Sequence, residues 1–442
     1  MAKMPMNNTE NAAGEPGAPE WNATSSYAVL RNRDFLVYLI GRFVASLGQQ
    51  MLSVAVDWEL YERTHSALAL GLVGLSQMIP MVACTLPSGH VADNFNRKRI
   101  MLATTLVLTL ASLGLTLISV RTAPVGWIYL CLVVIGAART FLWPASAAFL
   151  PHLVPRFQFS RAVTINSGTF QLSSVAGPVF AGGLIAFLSR HYPHPAAVVY
   201  AVNVAASLAC FGLVLMIRRE HVVAERQALS IRNLGAGFRF VFENKIILGT
   251  LTLDMFAVLL GGATSLLPIY AKEILHSGAE GLGLLRAAMP IGAVVCALIL
   301  TSRPPLQRAG RSMLWSVAVF GLATIVFGVS RWFWLSFLML FVCGAVDNVS
   351  VVVRHSLVQL LTPDEKRGRV SAVNSLFIGT SNELGGAESG FVAQGFGPGL
   401  GNTVAMGSIL SVVSGGIGTI LVVAAVALIW PQIRKYGGLD GP

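Results

Sequence analysis

Apolar runs of membrane-crossing length recur along the chain at roughly 34–61, 68–88, 100–120, 126–150, 161–188 and 196–217. After a polar stretch they resume at roughly 245–271, 281–302, 312–330, 332–359, 370–396 and 404–430. About 20 apolar residues in helical form cross the hydrocarbon layer, because a helix satisfies its own backbone where no water can. The pattern predicts an all-α polytopic membrane protein of twelve transmembrane helices. Residues 31–217 form one six-helix bundle and 245–431 a second, joined by a cytoplasmic linker at 218–244. Residues 1–30, polar and rich in Asn, Ala, Gly and Pro, read as a disordered tail, and 432–442 as a second tail. Within the linker, Ile231 to Phe242 alternates basic and apolar residues, which predicts an amphipathic helix on the inner membrane surface.

The polar residues orient this array. Most of the 31 Lys and Arg lie in the tails, the linker and one set of loops. Only Arg63, Arg121, Arg190, Lys272 and Arg331 lie in the other set, while Arg42, Arg139, Arg286 and Arg354 sit inside spans. The excess of positive charge marks the cytoplasmic side, so both termini are expected to be cytoplasmic, and the expected location is a cell membrane, bacterial inner or plasma. This accounts for the net charge of +11 without a nucleic-acid partner. Composition agrees: 54% of the 442 residues are hydrophobic and 12% charged, and the mean hydropathy is +0.68. The five cysteines fall inside apolar runs with no metal-ligand spacing, so they read as small buried side chains.

The two halves repeat. At an offset of 208, Leu153, Pro155, Arg161, Asn166, Ser167, Ser173, Gly177 and Gly182 match Leu361, Pro363, Arg369, Asn374, Ser375, Ser381, Gly385 and Gly390. Such a parallel repeat predicts two pseudo-symmetric bundles about an axis along the membrane normal.

An ionisable group within the bilayer is costly and turns towards a cavity, a partner or the interface. Spans 3, 6, 9 and 12 lack charge, whereas spans 1, 4, 7 and 10 hold Arg42, Asp57, Glu59, Arg139, Asp254, Asp347 and Arg354. This predicts a central aqueous path inside a lipid-facing outer layer. Arg139 and Asp347 occupy equivalent positions of the repeat, near mid-membrane. Both are expected to line the cavity, with Asp347 either a proton carrier or the ion-pair partner of Arg139; a permanent structural pair is the plain alternative. In span 11, Asn374, Ser381 and Glu388 are seven apart, as are Ser375, Asn382 and Ser389, so they form one polar wedge with Glu383 at its edge. Glu383, Glu388, Asn374 and Asn382 are therefore proton or substrate candidates, although Gly385, Gly386 and Gly390 also suit close packing. Asp254, Gln49 and Gln50 are weaker candidates, and Arg42 and Arg286 serve equally well as interface-seeking side chains. In span 5, Gly168, Gly177, Pro178 and Gly182 allow a kink and tight helix contacts.

The loop Gly89-x-x-x-Asp93-x-x-x-Arg97-Lys98-Arg99 can simply orient the chain, but it also resembles the loop between helices 2 and 3 of major facilitator superfamily transporters. Trp58 to Ser66, Leu153-Val154-Pro155 with Arg161-Ala162, and Arg367 to Asn374 resemble the drug–proton antiporter branch that contains enterobactin exporters and macrolide efflux proteins. The resemblance implies a monomeric exporter of a siderophore or drug-like amphipathic molecule, driven by inward proton movement with no cofactor. It implies that Gly89, Asp93, Arg97, Lys98 and Arg99 form a conformational lock against helix 11, although Asn94 stands where an arginine is usual. The span 5 glycines resemble the antiporter motif of helix 5, with Ser173 and Ala181 in place of two glycines. The counterpart of the first loop, Arg303 to Arg311, keeps arginines and has no acid, so the lock is expected in the first half alone.

An importer or a lipid flippase of the same fold remains an alternative, because fold does not set direction or substrate. A membrane receptor or enzyme would need a soluble domain or a clustered catalytic set, and neither is visible. The eight His show no metal-ligand spacing, and the chain has no Gly-rich phosphate loop. The expectation is a transporter without enzymatic activity or a metal.

Overall fold

The computed structural model describes residues 28–218, 238–303 and 307–437. Among the described residues, twelve long helices carry the chain back and forth: α1 Arg33–Thr64, α2 Ala67–Asn94, α3 Arg97–Val120, α4 Gly126–Leu153, α5 Phe159–Leu188 and α6 Pro195–Met216 in the first half. The second half holds α7 Lys245–Leu260, α8 Gly278–Thr301, α9 Ala309–Val329, α10 Phe333–Leu361, α11 Asp364–Phe396 and α12 Val404–Ile429. Several starts are set by side-chain caps. Asn32 accepts from the backbone N–H of Asp34 and Phe35, Asn96 from that of Arg99, and Asn244 from those of Ile246 and Ile247. α2 runs on through Gly89 to Asn94, so only Phe95 and Asn96 separate it from α3, where the sequence suggested a longer loop.

Among the described residues, eleven of these spans are long and apolar enough to cross a membrane, α7 only together with the turns that carry the chain on to Ile274. The exception is α11, whose polar wedge lowers its hydropathy because one face borders water. The outer faces of α3 and α12 expose Leu106, Leu110, Leu117, Leu421 and Leu428, as expected for surfaces solvated by lipid chains. Among the described residues there is no strand, and all five cysteines are free thiols.

The packing repeats like the sequence. In the first half α1 packs on α5 and α6, α2 on α4, and α3 on α4 and α6. In the second, α7 packs on α11 and α12, α8 on α10, and α9 on α10 and α12. The halves meet along two seams, α2 with α11 and α5 with α8, which the same symmetry exchanges. In each seam two glycines face each other. A Cβ on Gly182 would lie 2.9 Å from the Cα of Gly283, and one on Gly390 would lie 2.6 Å from the Cα of Gly71. Only glycine permits that approach.

These contacts lie at the end away from the termini, the far end. Towards the termini the seams part. Along α11, the side facing α2 is buried at Ala387 and Gly390 but exposed at Gly368 and Ala372. Along α5, the side facing α8 is buried at Pro178 and Gly182 and exposed at Thr164 and Ser167. The space between the halves is therefore open at the termini end and shut at the far end.

Span 7 departs from the expected continuous helix. α7 stops at Gly261-Gly262, a 3-10 turn follows at Ala263–Leu266, and the chain continues through Leu267–Ile269 into a π-helical turn at Tyr270–Ile274. Glycine lowers helix stability by about 1 kcal/mol relative to alanine, and two in succession favour a break. Gly262 also lies directly against the backbone of Gly385 on α11, a contact that a side chain would block. Of the linker, residues 238–243 are helical, with Phe238 against Phe377 of α11 and Val241 fully buried. The remainder of the expected amphipathic helix, like most of the first tail, lies outside the described residues.

Candidate functional site

At the closed end of the space between the halves lies a cavity of about 260 Å³. Gln49, Gln50 and Asp57 reach it from α1, Gln77 from α2 and Arg139 from α4. The second half contributes Arg286 from α8, Asn382 and Glu383 from α11, and Thr264 and Ser265 from the turn after the α7 break. Helical periodicity explains the α4 contribution: Leu132, Ile135 and Arg139 share one face.

The charges form an alternating chain that crosses between the halves. Asp57 is ion-paired to Arg286. The charge of Glu383 interacts with both Arg286 and Arg139, and the Arg139 guanidinium donates to Gln77 Oε1 at 3.2 Å. Gln50 is held by a 2.8 Å bond to Ser174 of α5. Beyond this chain the far end is laced shut. Lys272 pairs with Glu62 at 2.8 Å, Tyr61 donates to Glu273 at 3.2 Å, and Ser66 to Gln394 at 3.2 Å. Each of these links joins one half to the other. Glu383, by contrast, has no hydrogen bond or ion pair within contact distance among the described residues.

Of the candidates named from sequence, Gln49, Gln50, Arg139, Asn382 and Glu383 are brought together here. The others lie elsewhere. Asp347 does not line this cavity and is not the partner of Arg139: it borders a separate small cavity inside the second bundle, with Asp254, Ser316 and Ser350. Arg139 carries its charge on a long arm out to the space between the halves. Asp347 carries its own on one methylene, and α7 and α9 cover that face of α10. Asp254 is paired with Arg354, which is 2% exposed. Glu388 lies next to Ser389, whose hydroxyl donates to it at 3.4 Å, and is outside the central cavity. Asn374 is buried nearer the open end, with its side-chain oxygen unpartnered.

Arg286, which by sequence can equally reach the interface, is instead the hub of the charge chain. Its partner Asp57 lies 229 residues earlier, a pairing that no local pattern announces. Thr264 and Ser265 were also missed; the Gly261-Gly262 pair was the available signal.

Among the described residues, the side chains of Asp93, Arg97, Lys98 and Arg99 make no hydrogen bond or ion pair with α11. Asp93 is exposed, and a Cβ on Gly89 would meet nothing within 4 Å. Arg97 reaches His152 of α4. Lys98 donates to the carbonyls of Ile217 at 2.6 Å and Leu215 at 3.2 Å, capping the end of α6. Arg99 is exposed. These contacts stay within the first half because the termini end is open.

In the span 5 motif, Gly177 packs against Gln50 and Leu47 of α1, while the carbonyl of Pro178 and Gly182 contact Gly283 of α8. Gly168 has open space around it and does not serve close packing. No group of three or more His, Cys, Asp or Glu among the described residues is arranged to hold a metal.

Two repeated bundles around a central polar cavity, open at one end, narrow the choice of family, and residues 38–386 match the sequence profile of the Major Facilitator Superfamily. The chain belongs to the Major Facilitator Superfamily. It is similar to the enterobactin exporter EntS of Citrobacter koseri, with 26% identity over 405 residues, covering 91% of this chain and 93% of that protein. The enterobactin exporter EntS of Shigella boydii is 25% identical over the same shares. Among solved structures, a bacterial homologue of the human lysosomal transporter Spinster, inward-facing and unoccupied, superposes with a TM-score of 0.71 at 15% identity. That match covers 95% of this chain and 98% of the other. The nucleoside transporter NupG matches with a TM-score of 0.70 at 13% identity, covering 90% and 100%. These structures share the facilitator fold. As a member of this superfamily, the protein is a multi-pass membrane transporter of small molecules.

Proposed function

We propose that the protein exports a small amphipathic molecule, siderophore or drug-like, in exchange for protons, by alternating access and as a monomer. The observation that carries this reading is the cavity itself. It opens only towards the termini, and charges from both halves meet at its closed end. The positive-inside bias puts the termini in the cytoplasm, so this conformation is the one that loads substrate from inside the cell. The relatives named enterobactin exporters favour the outward direction and a siderophore-like cargo.

Proton exchange needs a carboxylate whose charge can be given up during the cycle. Asp57 and Asp254 already answer an arginine each, whereas Glu383 faces two arginines and is bonded to neither. While ionised, Glu383 draws Arg139 of one half towards Arg286 of the other and holds the far end shut. A substrate hydroxyl or cation that takes the carboxylate competes with the proton for the same oxygens, and that competition makes exchange possible.

The test uses inside-out membrane vesicles loaded by adding catechol siderophores, macrolides or cationic drugs outside. Accumulation of at least one compound is expected with an acidic lumen and is expected to vanish when an ionophore collapses the gradient. Accumulation indifferent to the gradient for every compound would overturn the exchange.

In the conformation open to the far side, the Asp93 cluster closes on α11. Asp93→Asn is therefore expected to lower transport about tenfold, in the range of an ordinary conformational coupling, while Arg308→Ala in the counterpart loop changes it less than about twofold. Equal tolerance in a transport assay would reduce the loop to an orienting role.

A further inference from the structure

We propose that the second bundle contains a binding site for one monovalent metal cation of sodium's size, formed by Asp254, Asp347, Ser316 and Ser350. These residues come from α7, α10, α9 and α10 and border one cavity of about 10 Å³, walled otherwise by apolar side chains such as Val258 and Phe320. A void of that size takes a single water or a single ion. The donors are all oxygens, two carboxylates and two hydroxyls, the set that hard cations prefer.

The serines point to a ligand independently of the acids. Ser350 is 2% exposed and Ser316 9%, yet neither hydroxyl has a hydrogen bond among the described residues. Several buried helical serines elsewhere among the described residues bond a carbonyl of the preceding turn, as Ser112 does to Leu108 and Ser408 to Val404. Asp347 likewise has no hydrogen bond or ion pair among the described residues. A buried polar group without a partner costs free energy, so three such groups around one void mark a place for an occupant.

Charge sets the valence. Asp254 and Asp347 bring two negative charges, and Arg354, paired with Asp254, returns one. α9 adds no charged side chain to the cavity wall. The net charge is one negative in a low-dielectric interior, where an unbalanced charge is expensive. A monovalent cation cancels it, and a divalent one would reverse it. A proton on Asp347 with a water in the void is the competing occupant, and it gives no saturable sodium binding.

Occupancy would tie α7 to α9 and α10. Asp254 lies seven residues before the break at Gly261, which carries Thr264 and Ser265 to the central cavity. The cation would therefore set the position of that wall while remaining separate from Glu383.

Full-length protein in lipid nanodiscs provides the test, with radioactive sodium binding and thermal unfolding in sodium, potassium and choline chloride of equal ionic strength. One saturable sodium site is expected, and about 100 mM sodium should raise the unfolding midpoint by about 3 °C or more over choline. Asp347→Asn and the conservative double variant Ser316→Ala with Ser350→Ala should each weaken sodium binding at least about tenfold, equivalent to about 1.4 kcal/mol. Identical midpoints in all three salts without saturable binding would overturn the site. So would a midpoint that responds to pH alone, the signature of a proton on Asp347, or sodium binding that survives both variants.

Discussion

Glu383→Gln is expected to lower accumulation driven by a pH difference at least about 100-fold, a change of about 2.7 kcal/mol. Exchange of labelled for unlabelled substrate across the same membrane should stay within a few fold of the original protein. The two readouts separate because exchange needs only the loaded carrier to reorient, whereas net transport needs the carboxylate to take up and release a proton. Glutamine keeps the size of glutamate and resembles its protonated form, with one acceptor oxygen and a donor, but cannot carry the charge. Undiminished accumulation in vesicles carrying the Glu383→Gln variant would transfer the coupling role to another acid. If exchange were lost as well, Glu383 would be a substrate-binding group in the first place.

The second large effect concerns the ion pair at the closed end. Arg286→Ala leaves Asp57, whose side chain is 8% exposed, without its partner. Breaking a buried pair from one side costs about 3–5 kcal/mol, since the surviving charge has lost both water and counter-charge. That cost falls on the state closed at the far end, so it shifts the conformational balance by roughly 100-fold or more. Transport should fall at least about tenfold, because the carrier no longer returns readily to the loading state. A cysteine introduced as Ser66→Cys, in a background lacking the native cysteines, should become alkylated from the far side several times faster. Removing both charges, as in Asp57→Asn with Arg286→Gln, should restore most of the original balance, because no lone charge remains. Unchanged alkylation in Arg286→Ala would show that the pair does not hold the gate.

The features legible in the sequence are those governed by local composition. Span lengths follow from the thickness of the hydrocarbon layer, and the repeat at 208 residues preserved Gly182 and Gly390, which then proved to sit at equivalent seams. Arg139, Glu383, Asn382 and Gln49 were legible because a polar group placed deep in a bilayer has few destinations, and a cavity is the commonest. Asp347 shows the limit of that rule. Its register matches that of Arg139, but register gives only the direction in which a side chain leaves its helix. The length of the side chain and the helices covering that face decide where it ends. Arg286 failed for a different reason: eight residues into α8 it was close enough to the far interface to escape, and only the fold brought Asp57 beside it. The break in α7 was signalled by Gly261-Gly262, yet composition alone does not distinguish a break from a close helix crossing, and this pair serves as both. Gly168 illustrates the converse, a motif glycine with nothing packed against it in this state.

Direct coupling of the two fluxes tests the central claim. Inside-out vesicles with a pH-sensitive dye in the lumen begin with no pH difference, and a transported compound is added outside. The account predicts that substrate entering the lumen drives protons out, so the lumen becomes alkaline, and that this signal disappears in Glu383→Gln. A lumen that stays neutral while substrate enters, or one that turns acidic, would contradict it.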